Sequence, residues 1–442
     1  MSDLTFRDIN QEVLRSLEFP SRRYLAVLGF LLCGMAWGGY CWRYQIMTGM
    51  GVTGLGLPIG WATYITNFVF WIGIGHAGTL ISAILFLFRI EWRRAIYRSA
   101  EMMTVFAVMT AGLCPMFHLG RVWVFWWLIP YPNQRHLWPN FKSPLTWDIV
   151  AVTTYLTISV LFLFMGLIPD LAAVRDASTG RRKWFYGLLS LGWQGEHDQW
   201  RHYVRAYSCM ACLATPLVIS VHSVVSWDFA MSVLPGWHET IFAPYFVAGA
   251  IHSGLAMVIT LLIPLRRVLH FERLITIRHF TAMATLNILT GLIVFYAYAV
   301  EPFMAWYSGE AVERGMVVYR AFGPYAYYFW TMVICNAIVP LLYFWRKIRT
   351  SIPWLFVLSL LINVGMYFER YVIIVTSMAH DYSPHVWNVY QPTWVEISIV
   401  LGAASFFFFA FLTAVRILPA VAISESKALP SEALPVEGEA AA

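Results

Sequence analysis

The sequence predicts an all-α integral membrane protein of about ten transmembrane helices, arranged as two four-helix bundles plus two additional helices. Three observations carry this. First, the 442 residues are 59% hydrophobic and only 12% charged, whereas soluble domains carry about 25% charged residues. Second, ten stretches, roughly 24–45, 59–88, 100–130, 147–169, 204–232, 240–264, 275–300, 323–345, 352–379 and 394–418, are apolar enough to span. Each is long enough to cross about 30 Å of hydrocarbon at about 1.5 Å per residue. Third, His76-Ala-Gly78 in the second stretch matches His252-Ser-Gly254 in the sixth. Four spans separate the two, so both run in the same direction, as a parallel repeat about an axis along the membrane normal requires.

Residues 1–23 mix acids and bases without the apolar core of a cleavable leader. Phe6, Ile9, Val13, Leu14 and Leu17 follow helical spacing and suit a short interfacial helix on the cytoplasmic surface. Residues 24–58 supply the first span and its loop, 59–235 the first bundle, 236–379 the second, and 380–420 the last span. A second interfacial stretch is expected over 181–203. The Ala-, Glu- and Pro-rich tail, 421–442, reads as disordered and cytoplasmic. Pro115 and Pro216 fall inside spans, where they are tolerated as kinks.

Of the 30 basic residues, 20 lie in the N-terminus, the tail and the loops after the second, fourth, sixth and eighth spans. Because Lys and Arg mark cytoplasmic loops, both termini are expected in the cytoplasm. The net charge of +6 reflects that bias and gives no argument for nucleic acid.

An ionised carboxylate at a helix centre costs about 2.5–3.5 kcal/mol on insertion scales, so carboxylates near a bilayer are functional candidates. Trp147-Asp148 opens the fourth span and Trp227-Asp228 closes the fifth, which places both aspartates at one face. Pro115-Met-Phe-His118-Leu-Gly-Arg121 climbs toward the same face, with His118 and Arg121 three residues apart on one side of the third span. His222 lies about 9 Å deeper on the fifth. His118, Arg121, Asp148, His222 and Asp228 therefore outline a pocket for a polar head that releases protons. The bland alternative makes Asp148 a helix N-cap and Asp228 a solvated helix end.

A deeper set comprises His76 and His252 near mid-membrane and Glu369-Arg370 in the ninth span. Adjacent residues on a helix point in different directions, so Glu369 and Arg370 are each expected to find partners on other helices. Together they could form a proton path, or equally a set of satisfied structural contacts.

Haem enters because five spans carry histidine, with His76 and His252 at matching depth as the best axial pair. No span carries two histidines about thirteen residues apart, the cytochrome b arrangement. Cys209-Met-Ala-Cys212 has CxxC spacing but lies in an apolar span without a second pair, and reads as buried cysteine. Neither a metal set nor a Walker or GxGxxG sequence is present. Any haem or iron-sulfur centre is expected on a partner.

With ten spans, His118, Arg121, WPNFKSPLTWD ending at Asp148 and SWD ending at Asp228, the chain resembles the family of NrfD/polysulfide-reductase membrane subunits over about 20–420. Within that family the likeness is greatest to the C component of bacterial alternative complex III, whose sister F component shares the fold. The resemblance implies a multi-pass protein of the bacterial inner membrane. It further implies a site for menaquinol or ubiquinol near the periplasmic face, in a quinol-oxidising respiratory or photosynthetic complex. Expected partners are a periplasmic iron-sulfur protein, multihaem and monohaem cytochromes c, and a sister NrfD-like protein. By position His118, Asp148 and Asp228 take the quinol-binding and proton-accepting roles, with Arg121 in support. A carboxylate or imidazole within reach of each hydroxyl suits the two protons that quinol oxidation releases.

A secondary transporter or ion channel is the rival class, since parallel repeats and buried ionisable groups suit it too. A haem b membrane anchor is a third. Against transport, the polar groups gather toward one face, and the aromatic, proline-rich loop 127–144 suits a docked partner protein.

Overall fold

The computed structural model describes residues 5–132, 135–138 and 141–432. Ten helices are long and apolar enough to cross a membrane. They are α2 (Arg22–Thr48), α3 (Thr63–Leu87), α4 (Tyr97–His118), α5 (Pro144–Asp176), α7 (His197–Ala230), α8 (Phe242–Val268), α9 (Ile277–Ser308), α11 (Ala326–Phe344), α12 (Ile352–Ala379) and α13 (Trp394–Ile417). Among the described residues, four shorter helices of ten residues or more, α1 (Phe6–Ser16), α6 (Gly180–Leu189), α10 (Ala311–Phe322) and α14 (Ile423–Glu432), lie outside them, besides a single turn at Arg346–Arg349. The chain is a multi-pass, all-α membrane protein.

Burial shows which helices are central: 83% of the apolar window of α3 and 78% of that of α8 are covered, against 11% for α2. α3 packs on α4 and α8, α5 on α7, and α9 and α12 on α8, while α2 pairs with α13, which leans on α4. Small residues let the central pair approach. A Cβ on Gly254 of α8 would lie 2.6 Å from Ala77 Cβ and 2.8 Å from Ile74 O of α3. The same device joins α2 to α13, where a Cβ on Gly38 would lie 2.6 Å from Gly402 Cα. In lipid, where helices gain little from the hydrophobic effect, such close contact is a main source of association.

Four expectations are corrected. The third span ends at His118, not near 130. Gly120 adopts φ +65°, and Val122–Leu128 forms a tight 3-10 segment with exposed Trp123, Phe125 and Trp126. A left-handed residue cannot continue an α-helix, so the aromatic run is set across the helix end.

The apolar face of α1 does not lie on lipid: Ile9 and Val13 are buried in the protein, and Arg182 and Arg416 donate to Leu17 O and Glu18 O at 2.9 and 2.7 Å. The start of the tail is ordered as well. Asp170 Oδ1 accepts from Ile423 N, Ser424 N and Ser424 Oγ at 3.1, 3.0 and 3.1 Å, and Arg93 pairs with Glu425 at 2.8 Å. An apolar run of Ala420 to Ile423 is buried there, which composition averaged over the whole tail conceals. Residues 433–442 of that tail lie outside the described residues. Lastly, Cys209 and Cys212 are exposed, because this part of α7 turns them outward to the lipid side.

At the end of the molecule that carries α1 and α14, a buried ionic cluster ties three long helices together. Arg98 of α4 reaches Glu101 at 3.0 Å, and Gly166 O and Asp170 of α5 at 2.6 and 3.1 Å, while Tyr207 of α7 donates to Glu101 at 3.2 Å. Each charge is compensated locally, as burial demands.

Candidate functional site

Three helix ends converge at the other face. α4 stops at His118, where Leu119 N still donates to Pro115 O at 3.0 Å before Gly120 turns the chain. Beneath it, Gln45 of α2 donates to Phe117 O at 2.7 Å and accepts a short hydrogen bond from Tyr64 of α3. Gln45 and Tyr64 fix the height of His118, and no motif pointed to either. α5 begins at Pro144 after Ser143, so Asp148 is not the N-cap but sits inside the helix, 7% exposed. Asp228 comes from the last turn of α7.

The buried carboxyl groups of Asp148 and Asp228 come close enough to interact directly and line the same cavity. Like charges that close repel, so such a pair is suited to taking up and passing on a proton. Among the described residues, Oδ1 of each and Nδ1 of His118 are buried without a hydrogen-bond partner.

These three side chains line one end of a cavity of about 400 Å³. Its walls are otherwise largely apolar, from Trp61 just before α3, Phe68 of α3, Met116 of α4, Phe125 of the 3-10 segment, and Ile149 and Val152 of α5. Trp61, Ile65 and Phe68 were missed in the sequence, where they read as ordinary apolar residues of a span. The arrangement suits a planar, mostly apolar molecule whose polar edge meets groups able to donate or accept protons.

Two expected members are elsewhere. Arg121 follows the Gly120 turn, so it no longer shares a helical face with His118; it is exposed and does not line the cavity. His222 points into the helix bundle instead, with its ring 4.6 Å from that of His76 and 5.8 Å from that of Phe246. A turn of six residues carries it both deeper and around α7.

The deeper set is partly brought together. His76 Nδ1 bonds to Ile72 O at 2.9 Å, and its ring lies 5.6 Å from Tyr155 of α5, which itself bonds to Thr79 and Gly75 O. His252 Nδ1 bonds instead to Thr290 of α9 at 3.1 Å. The two histidines are thus engaged with different helices and do not present facing rings. Among the described residues, the Nε2 of each and both nitrogens of His222 are buried without a hydrogen bond of good geometry.

Glu369 and Arg370 pair with each other, contrary to expectation, since long side chains can bend back along a helix. Glu369 also accepts from Tyr298 of α9 and, at 3.5 Å, from Asn336 of α11. The Arg370 guanidinium lies 5.2 Å over Phe246 and within electrostatic range of His76, His222 and His252. A wide π turn, Val372–Thr376, begins two residues beyond it.

A further polar group lies at the cavity's face of the molecule. Arg320 of α10 bonds to Glu301, Thr376, Ser377 and Gly236 O, and Glu313 accepts from Gly236 N. Glu239, in the loop before α8, is pushed up to about 9 by burial first and by the Glu301 charge second.

Fold and site together define a multi-pass membrane protein with a largely apolar cavity lined also by three titratable side chains. The family model for polysulphide reductase NrfD matches residues 51–380, and the chain belongs to that family. Among similar proteins, a candidate dimethyl sulfoxide reductase membrane subunit (the C component) of Halobacterium salinarum is 26% identical, with 92% of this chain and 93% of the relative aligned. The C component of the selenate reductase of Mesobacillus selenatarsenatis is 22% identical over 56% of each chain.

Proposed function

We propose that this chain is the quinol-reactive membrane subunit of a multi-subunit oxidoreductase. The observation that carries the reading is the gathering of Asp148, Asp228 and His118, from three helices, on one otherwise largely apolar cavity. A quinol ring would enter between Phe68, Phe125 and Val152, with its hydroxyls toward the carboxyls and the imidazole. Oxidation to the quinone breaks two O–H bonds; two protons pass to Asp148, Asp228 or His118, and two electrons leave to a partner. Among the described residues no three metal-ligating side chains come together, so the receiving centre is assigned to an iron-sulfur protein docked at the exposed aromatic segment 122–128. Relatives named as subunits of reductases support a place in a redox complex. Assignment to an alternative complex III with cytochromes c, and use of menaquinol, are the finer parts of the proposal.

The bias of Lys and Arg toward the loops at the other end supports cytoplasmic termini and a cavity near the opposite face of the membrane. His76, His222 and His252, with Glu369 and Tyr298, form the core of a proton path, and Arg370, which cannot release its proton, sets the field around them. Family membership disfavours the transporter or channel reading, and the separate engagement of His76 and His252 disfavours the haem anchor.

The test is labelling of the intact complex with a photoreactive quinone. Adducts on Trp61, Met116 or Phe125 that vanish with excess quinone support the site. Competed adducts confined to other subunits remove it.

A further inference from the structure

At the end that carries both termini, a groove lies between α1 and the loop joining α5 to α6. It encloses about 420 Å³ and is lined by Gln11, Leu14, Arg15, Glu18, Ser178 and Arg182. Its two cations come from segments more than 160 residues apart, so the fold alone assembles it. Arg182 is held in place: one N–H donates to Leu17 O at 2.9 Å, and the guanidinium lies 5.6 Å over Tyr186. That bond uses one of its five donors. Arg15 is exposed on the last turn of α1.

The groove sits where α5 ends at Asp176 and α2 begins at Arg22, the level at which spans pass from hydrocarbon to headgroups. Large apolar side chains on the same segments are bare: Phe19 is 87%, Trp184 71% and Leu188 62% exposed. An aromatic residue exposed beside a cationic groove at a span end is placed for the membrane interface. Arg181, Lys183, Arg22 and Arg23, all exposed, add positive charge around it.

We infer that this groove binds the headgroup of an anionic phospholipid of the phosphatidylglycerol type. Arg15 and Arg182 take the phosphate, and Phe19 and Trp184 lie along the acyl chains. Glu18 and Gln11, which also line the groove, accept from the glycerol hydroxyls. The lipid would fasten α1 to the α5–α6 corner.

The experiment uses the full chain in phosphatidylcholine nanodiscs with graded phosphatidylglycerol, read by native mass spectrometry and thermal unfolding. Phosphatidylglycerol is expected to remain bound and to raise Tm. Arg15→Gln with Arg182→Gln should weaken retention roughly thirtyfold, two basic contacts' worth. Arg15→Gln alone, which touches no bond that holds α1, should give several-fold. Arg346→Gln with Lys347→Gln removes equal charge from another loop on the same side and should leave retention unchanged. Equal loss in that control pair, retention unchanged in the groove variants, or equal protection by inorganic phosphate alone would overturn the inference.

Discussion

Replacing Asp148 or Asp228 by Asn should slow quinol oxidation far more than it harms the fold. The amide has the shape of the acid, and its N–H can donate to the remaining carboxylate. A hydrogen bond to a charged group contributes about 1.5–3 kcal/mol, so the pair that joins α5 to α7 survives. The protein should then assemble with its partners and unfold within a few degrees of the parent. Turnover is different, because an amide cannot take up a proton. Positioned acid–base groups contribute about 10²–10⁴-fold. With His118 and one carboxyl still at the cavity, each single variant should lose about 10²-fold in kcat. KM should change by less than about tenfold, since most of the wall is apolar and untouched. The double variant should lose less than the product of the singles, because two carboxyls on one cavity act as a unit. The assay is steady-state quinol oxidation by the purified complex across pH, with the full set of subunits verified on the same samples. If both single variants assemble fully and turn over at the parental rate throughout, the proton-accepting role of the pair is wrong.

Four further outcomes are expected. Arg121→Gln should leave quinol oxidation within about twofold of the parent, since Arg121 lies off the cavity; a loss as large as that of Asp148→Asn would return it to the site. Gly254→Ala should lower Tm by overpacking the α3–α8 seam, a cost of about 1–3 kcal/mol, while Gly39→Ala, with nothing within 4 Å of the added carbon, should not; differential scanning in detergent distinguishes them. Because the folded Glu239 carboxyl titrates near 9, above its unfolded value, the folded state holds the extra proton between the two. Stability should therefore fall as pH rises from about 5 toward 9. Glu239→Gln should flatten that slope and raise Tm at pH 8; an unchanged slope refutes the assignment. His76→Gln or His222→Gln should lower the proton-to-electron ratio in proteoliposomes without weakening quinol binding, and an unchanged ratio in both returns these residues to packing.

By itself the sequence determined the membrane class and the ten spans, because a bilayer demands long apolar runs with internally satisfied backbones, and that demand is local. It also brought out His118, Asp148 and Asp228, since charged or titratable side chains at span ends are few enough to stand out singly. What it could not determine were directions around and beyond helices. Arg121 and His118 share a face only if the helix continues, and the left-handed Gly120 ends it. His222 reads as a neighbour of Asp228 by spacing, yet the rotation of α7 aims it at His76. The Arg98–Glu101–Asp170 cluster, the wall residue Trp61 and the seat of α14 on Asp170 depend on contacts between helices far apart in the chain. Such contacts are set by how small residues such as Gly254 and Gly402 let backbones approach, which is a property of pairs of surfaces and is decided only when the helices pack.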